Sequence, residues 1–333
     1  MQAAPRAADA YDRYLSRSQP GLYESHYLKA NSTDGKQAFW IKHNLLVDAG
    51  GGGIGEFWLI LFRRGAAARV WKREVPLLKL DIPTHRLALR GDHFDFDPEH
   101  AKGSIGEASW QLKLSGGMAP LFHLGTARFY EASIPRKKLL TPAPNLRFDG
   151  ALTVGSETIA VDGWIGLRGH NWGSEHAFSY AYGNCNLWDD GALDRTFDGF
   201  TARVRVGPLT TPWLSALVYR GPDGEHLRNR IMDHFNTGAV VKPTLWQLRY
   251  DDLALSMEGE TPLYVGLRYR HPNGRECYCY NTKFARVRLV VGARTYVSSS
   301  GEHEVLFPEP LPDIRLHPTP GWDAGAGDYT SAP

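Results

Sequence analysis

The chain has 333 residues, 42% of them hydrophobic, which is enough for more than one ordinary folded core and far from a disordered composition. Its 38 Lys and Arg against 36 Asp and Glu leave a net charge of +2. Phosphate binding needs a basic excess or a basic stripe, so nucleic acid is not expected as a partner.

The first residues, "MQAAPRAADAYDRYLSRSQPG", lack the apolar stretch of a signal peptide, and only 5–17 has a helical pattern. Beyond them the 35 Gly and 21 Pro separate short runs rich in β-branched and aromatic residues. These include "GLYESHYLK", "AFWIKHNLLV", "EFWLILF", "ASWQLKL", "DGWIGLRGH", "FSYAYGNCNLW" and "CYCYNTKFARVRLVV". Such spacing predicts an all-β sandwich or barrel with little helix. "TDGK" at 33–36, "GPDGE" at 221–225 and "HPNGR" at 271–275 read as hairpin tips. About a dozen such runs exceed one small barrel, so two β-domains are expected, 1–175 and 176–333, meeting at "NWGSEH". The tail from 307 is rich in Pro and Gly and is expected to wrap over the surface or be mobile.

The run "FWLILF" at 57–62 is too short to span a bilayer, and Arg136-Lys137-Lys138 is too short for a polybasic membrane signal. Three cysteines, Cys185, Cys277 and Cys279, are an odd number, and the last two stand only two positions apart. A disulfide framework is therefore not expected, and a reducing compartment is. These features together suggest a soluble cytoplasmic protein without stable membrane insertion.

Cofactor motifs are few. Gly50, Gly52 and Gly55 have the dinucleotide spacing, but a strand-like run follows where a helix would have to receive the pyrophosphate. A flexible hairpin loop is the plainer reading. There is no phosphate-binding loop, no His-Glu-x-x-His and no Gly-x-Ser-x-Gly, and Cys277-x-Cys279 lacks zinc-site spacing. No metal, nucleotide or other cofactor is expected.

The chemistry-bearing stretch is 168–190, "RGHNWGSEHAFSYAYGNCNLWDD". At period two its second half places Phe178, Tyr180, Tyr182, Asn184, Asn186 and Trp188 on one face, with small residues opposite. The strand before it groups Trp164, Gly166, Arg168, His170 and Trp172 against Gly163, Ile165, Leu167 and Gly169. Bulky amphipathic faces of this kind line small-molecule pockets, and they also occur as plain inter-sheet packing. His170, Glu175 and His176 lie close enough in sequence for a histidine and a carboxylate to tune each other's proton affinity. Two further polar residues share apolar strand faces. Lys283 either points into a cavity or is turned outward by a bulge. His43 is either a core histidine or a ligand contact.

"GWIGLRGHNWG", with Gly163-Trp164 and Trp172-Gly173, and the opening "YESHYLKA…AFWIKHNLLV" resemble the carotenoid 1,2-hydratase (hydroxyneurosporene synthase)-like and AttH-like proteins. The resemblance implies two tandem lipocalin-like β-domains, no cofactor, and a large hydrophobic cavity where they meet. It also implies hydration, cyclisation or isomerisation of polyenes, prenylated rings or polyketides. Relatives often carry acid-His-acid before the Trp-Gly pair. Here Gly169-His170-Asn171 keeps only the histidine, so a proton donor must be Glu175 or His170.

The expectation is thus a cofactor-independent hydratase, lyase, cyclase or isomerase for a bulky hydrophobic metabolite. His170, Glu175 and His176 are its candidate catalytic residues. Trp164, Arg168, Trp172, Tyr180, Tyr182, Asn184, Trp188, His43 and Lys283 are its candidate substrate contacts. The alternative is a non-catalytic lipid or isoprenoid carrier or sensor using the same cavity. A homodimer is compatible with either.

Overall fold

The computed structural model describes residues 10–16, 21–235, 238–270, 275–317 and 328–330. Residues 5–9 and 17 of the helical pattern, most of the expected tip at 271–275 and much of the tail lie outside the described residues.

Two large antiparallel sheets dominate. The first takes β1 (Tyr23–Asn31), β2 (Gln37–Val47), β3 (Gly53–Arg63), β4 (Arg69–Pro76), β5 (Leu89–Gly91), β6 (Phe94–Phe96), β7 (His100–Ile105), β8 (Ala108–Gly116), β9 (Leu121–Phe122), β10 (Lys137–Val154) and β11 (Glu157–Gly173). Its order is β4-β3-β2-β1-β11-β10-β8-β7-β6-β5, with β9 beside β10. A helix, α1 (Ala127–Glu131), precedes β10.

The second sheet begins with β12 (Ser179–Cys185) and β13 (Thr196–Arg203). A small separate hairpin, β14 (Arg205–Val206) with β15 (Leu209–Thr210), follows. Then come β16 (Leu214–Gly221), β17 (Gly224–Arg228), the helix α2 (Ile231–Phe235), β18 (Val240–Lys242), β19 (Leu245–Arg249), β20 (Leu253–Glu258), β21 (Val265–Arg270), β22 (Glu276–Val291) and β23 (Arg294–Phe307). The order is β17-β16-β13-β12-β23-β22-β20-β19-β18, with β21 beside β22. A last strand, β24 (Asp328–Thr330), returns to pair with β4 of the first sheet. Residues 33–36 and 221–225 form hairpin tips, as their turn chemistry predicts.

Each sheet curls around its own core, giving tandem lipocalin-like domains. Phe39, Ile41, Leu59, Trp71, Phe148 and Trp164 belong to the first core. Trp188, Phe197, Tyr219, Trp246, Met257 and Leu289 belong to the second. A third apolar layer joins the two sheets, with Trp40, Trp58 and Phe62 facing Tyr180, Leu267 and Leu306. Strands between the layers are therefore buried on both sides, and all nine residues of β1 are. This is why polar residues in β1 and β2 need partners: a buried polar group without a hydrogen bond is costly.

Alternation decides which layer each side chain enters. In β2, Phe39, Ile41, His43 and Leu45 share the first core, whereas Trp40 belongs to the inter-sheet layer. β22 changes sides part-way. Its pairing with β23 shifts register between Thr282 and Ala285. Before the shift Cys277 and Cys279 belong to the inter-sheet layer, and after it Ala285, Val287 and Leu289 enter the second core. Bulges of this kind re-aim side chains. Lys283 stands at the changeover, fully buried, with its Nζ over the rings of Trp40 and Phe62. Gly169 serves the same layer differently. It lies opposite Tyr27, and a Cβ there would come within 2.1 Å of the tyrosine ring.

Candidate active site between the sheets

Between the two sheets lies an apolar chamber of about 380 Å³, within the range of small-molecule pockets. The first sheet contributes Tyr27, Trp40, Lys42, Lys137 and Leu139. The second contributes Tyr180, Tyr182, Phe200, Tyr269, Glu302 and Glu304. Phe129 of α1 and His234 of α2 complete the wall, and the exposed Ile134, Ile231 and Phe235 mark its mouth.

Two carboxylate-backed phenol groups stand in this wall. The Tyr180 hydroxyl donates to Glu304. The Tyr182 hydroxyl donates to Asp198 Oδ2 at 3.1 Å and lies 2.9 Å from the Tyr27 hydroxyl. Asp198 is itself held by His123 Nε2 at 2.9 Å and by the Thr141 hydroxyl, and all three of these residues are fully buried. Burial, followed by Glu304, holds the Tyr180 phenol well above its usual range, and burial with Asp198 does the same to Tyr182 and Tyr27. All three stay protonated at neutral pH. Glu302 accepts from Lys283 Nζ behind the wall at 2.6 Å and from Asn184 Nδ2, which also reaches the Tyr182 oxygen at 3.1 Å.

The candidate residues from the 168–190 stretch and its neighbours fall into separate places. His176, Tyr180 and Tyr182 line the chamber, and His176 stacks on Tyr23 with ring centres 4.0 Å apart. Asn184 and Lys283 sit one layer behind. Trp164 packs in the first core against Phe39, and Trp188 lies in the second core, donating to the Arg195 carbonyl. His43 lies in the first core between Phe57 and Phe96. Glu175 forms a surface ion pair with Arg136 at 2.6 Å.

Arg168, His170 and Trp172 gather elsewhere, near one end of the first sheet. The even face of β11 points into that sheet's interior, while the even face of β12 points into the chamber. Arg168 pairs with Asp12. His170 Nε2 is 2.7 Å from Glu24 Oε1, and its ring stacks between His26 and Trp172 with centres 3.9 and 4.4 Å apart. Glu24, His26 and His170 are the one group among the described residues whose ligand atoms lie close enough to hold a metal ion. The Glu24 carboxylate is already occupied. It accepts the backbone N–H groups of Leu15 at 2.8 Å and Ser16 at 2.7 Å, which ties the N-terminal segment across the sheet. Glu24→Gln is therefore expected to cost about 1–3 kcal/mol, because the amide turns a donor toward groups that need an acceptor. Urea unfolding of variant and parent checks this.

Sequence reasoning missed Lys42, Lys137, Tyr27, Asp198, Glu302 and Glu304. The available signal was "GEHEVLF", in which two glutamates at period two precede the apolar end of a strand.

No known family model and no curated protein matches this chain. Solved structures do match. A candidate AttH of Nitrosomonas europaea aligns over 87% of this chain and 93% of its own, at TM-score 0.56 and 10% identity. CghA, solved with Sch210972, aligns over 86% of this chain and 88% of its own, also at 0.56 and 10%. Likeness at that identity is one of fold, the AttH-like tandem lipocalin arrangement. Among the described residues no helix is long and apolar enough to cross a membrane.

Proposed function

We propose that the chain is an acid–base enzyme of the lyase, hydratase, cyclase or isomerase type, acting on a bulky hydrophobic metabolite held in the inter-sheet chamber. The observation that carries this reading is the Tyr180–Glu304 pair in an otherwise apolar wall. A carrier needs only shape and apolar contact. A half-buried carboxylate that orients a buried phenol in an otherwise apolar wall is a costly arrangement for simple storage.

Such a pair can relay a proton. The Tyr180 oxygen takes a proton from the ligand as its own passes to Glu304, and the reverse transfer returns a proton at another ligand atom. That sequence is redox-neutral and suits isomerisation, elimination or ring closure. Tyr182 is held by its own donation to Asp198, and the Tyr27 hydroxyl beside it would turn from the Tyr182 oxygen to donate a hydrogen bond to a developing negative charge. His176 would position water for an addition. Glu175 in its surface ion pair, and His170 bound to Glu24, are less suitably surrounded for the proton-donor role. CghA with Sch210972 supports reading this fold as one that holds a small molecule, by analogy of fold alone.

The test uses ligand that co-purifies from the source, identified by native mass spectrometry. Tyr180→Phe and Glu304→Gln are each expected to keep affinity within a few-fold while losing about two decades of turnover. Tryptophan fluorescence reports the binding, and product chromatography the turnover. Unchanged turnover in both variants removes the pair from catalysis. Binding without turnover in the parent makes the chain a carrier.

A further inference from the structure

The chamber contains two ammonium groups that the protein leaves unpaired. Lys42 projects from β2 and Lys137 from the first residue of β10, and both line the wall. Lys42 Nζ lies 4.2 Å from the ring centre of Tyr269 and 5.3 Å from that of Trp40. Lys137 Nζ lies 4.0 Å from the ring centre of Tyr180. Among the described residues these ring faces are their close neighbours, and neither lysine has an ion-pair or side-chain hydrogen-bond partner. Other lysines around this layer differ: Lys72 is gripped by Glu56 and Glu74, Lys283 by Glu302 and Asn281, and Lys29, fully buried outside the chamber lining, has no hydrogen-bond partner among the described residues and Glu302 as its strongest acidic neighbour.

The surroundings offer little compensation. Glu304 is the acid with the strongest pull on both lysines, and it already accepts from Tyr180. Glu56 also acts on Lys42, but it is committed to Lys72 at 2.7 Å and to Asn44 at 2.7 Å. Cys277 and Cys279 face the same region. Burial pushes the Cys277 thiol up to about 12 and the Cys279 thiol well above its usual range, so they stay neutral. His176, Tyr180 and Tyr269 complete the neighbourhood. A buried cation is costly unless paired and hydrogen-bonded, and ring faces satisfy only part of its demand.

We propose that Lys42 and Lys137 form a subsite for a negatively charged oxygen of the ligand, a carboxylate or an enolate, so that the chamber takes a bulky apolar molecule with one acidic head. This rests on reading the chamber as the ligand site and names the class of molecule it selects. Burial lowers Lys137 to about 8, so it carries charge at pH 7 and loses it as the pH rises, and burial moves Lys42 in the same direction. An anionic head would strengthen both charges.

Retinoate and retinol share one apolar body and differ in head group, so they separate the two readings. Quenching of tryptophan fluorescence at pH 7 should give a retinoate Kd about ten-fold or more below that of retinol. The Lys42→Gln/Lys137→Gln double variant should lose that preference while holding retinol within about three-fold. Retinoate affinity should fall as pH rises past 8, with retinol unchanged. Equal or tighter retinol binding by the parent protein overturns the subsite without touching the chamber reading, and it needs no variant to fold. A preference that survives in the folded double variant overturns it as well. If neither molecule binds, the chamber reading falls together with the subsite.

Discussion

Replacing Lys283 by Met should destabilise the protein by about 3–5 kcal/mol, the range measured when one partner of a buried ion pair is removed. Lys283 is fully buried and Glu302 is 1% exposed, with Nζ 2.6 Å from Oε1. Asn281 Oδ1 supplies a second acceptor at 3.1 Å. Lys283 Nζ lies 5.2 and 5.4 Å from the ring centres of Trp40 and Phe62, and an unbranched methionine would fill much of the space of the lysine stem. What it cannot supply is a positive charge. Glu302 would keep one hydrogen bond, from the neutral Asn184 amide, with the Lys29 ammonium nearby but not bonded to it, in a setting where a carboxylate is poorly solvated. The double variant Lys283→Met/Glu302→Leu should recover most of the loss, since an apolar pair of similar volume often replaces a buried ion pair at little cost. Urea midpoints for the three proteins decide the matter. A single-variant loss below about 1 kcal/mol would mean that water reaches the pair.

Acid should unfold the protein through histidines that are buried uncharged. Burial holds His43 and His303 down at about 3, against about 6.5 in an unfolded chain. As pH falls below 6.5 the unfolded state takes up protons that the folded state refuses. Stability is then lost at about 1.4 kcal/mol per pH unit for each histidine until the pH nears the folded value. His26 is displaced in the same direction, by burial first and His170 second. His43 gives the cleanest test. It sits between Phe57 and Phe96, and its Nε2 has no hydrogen-bond partner among the described residues. His43→Phe should be close to neutral at pH 7 and should flatten the decline between pH 6.5 and 4 by about one histidine's worth. His303 is less simple, because the Tyr264 hydroxyl bonds its Nδ1. Urea unfolding at a series of pH values measures both slopes, and parallel slopes for parent and His43→Phe would refute the assignment.

The strand architecture was legible because Gly and Pro punctuation and period-two alternation are local properties. The same alternation grouped Tyr180 with Tyr182, and both line the chamber. It went astray over β11, whose even face is as aromatic as that of β12 but looks into the first sheet. Alternation divides a strand into two faces without saying which neighbour each meets, and here both sides of β1, β2, β12 and β11 from Gly163 onward are largely dry. The usual polar-outside cue was therefore missing. The rest of the site is assembled from distant segments: Lys42 of β2, Lys137 of β10, Asp198 of β13 and Glu304 of β23 converge only through tertiary pairing. His43, named among the substrate contacts although Phe39, Ile41, Leu45 and Val47 share its face, lies in the first core between Phe57 and Phe96. For Lys283 both sequence alternatives contained part of the answer, since a bulge is present and the side chain is nevertheless buried between the sheets.

Burial on both sides of these strands also bears on how such a protein can diversify. In β1, Tyr23 and Tyr27 look toward the second sheet, while His26, Leu28 and Ala30 fill the first. In β22 the odd-numbered residues before the changeover belong to the inter-sheet layer and those after it to a core, while Tyr280 and Phe284 do the reverse. Neighbouring positions on one strand thus answer to different selective demands. With the chamber as the proposed ligand site, drift at Tyr27, Lys42, Tyr180 or Glu304 would retune which molecule is accepted, while positions one residue away hold the scaffold fixed. A saturation library across β1 and β2 would sort into two interleaved phenotypes, altered preference and lost expression, alternating along the chain.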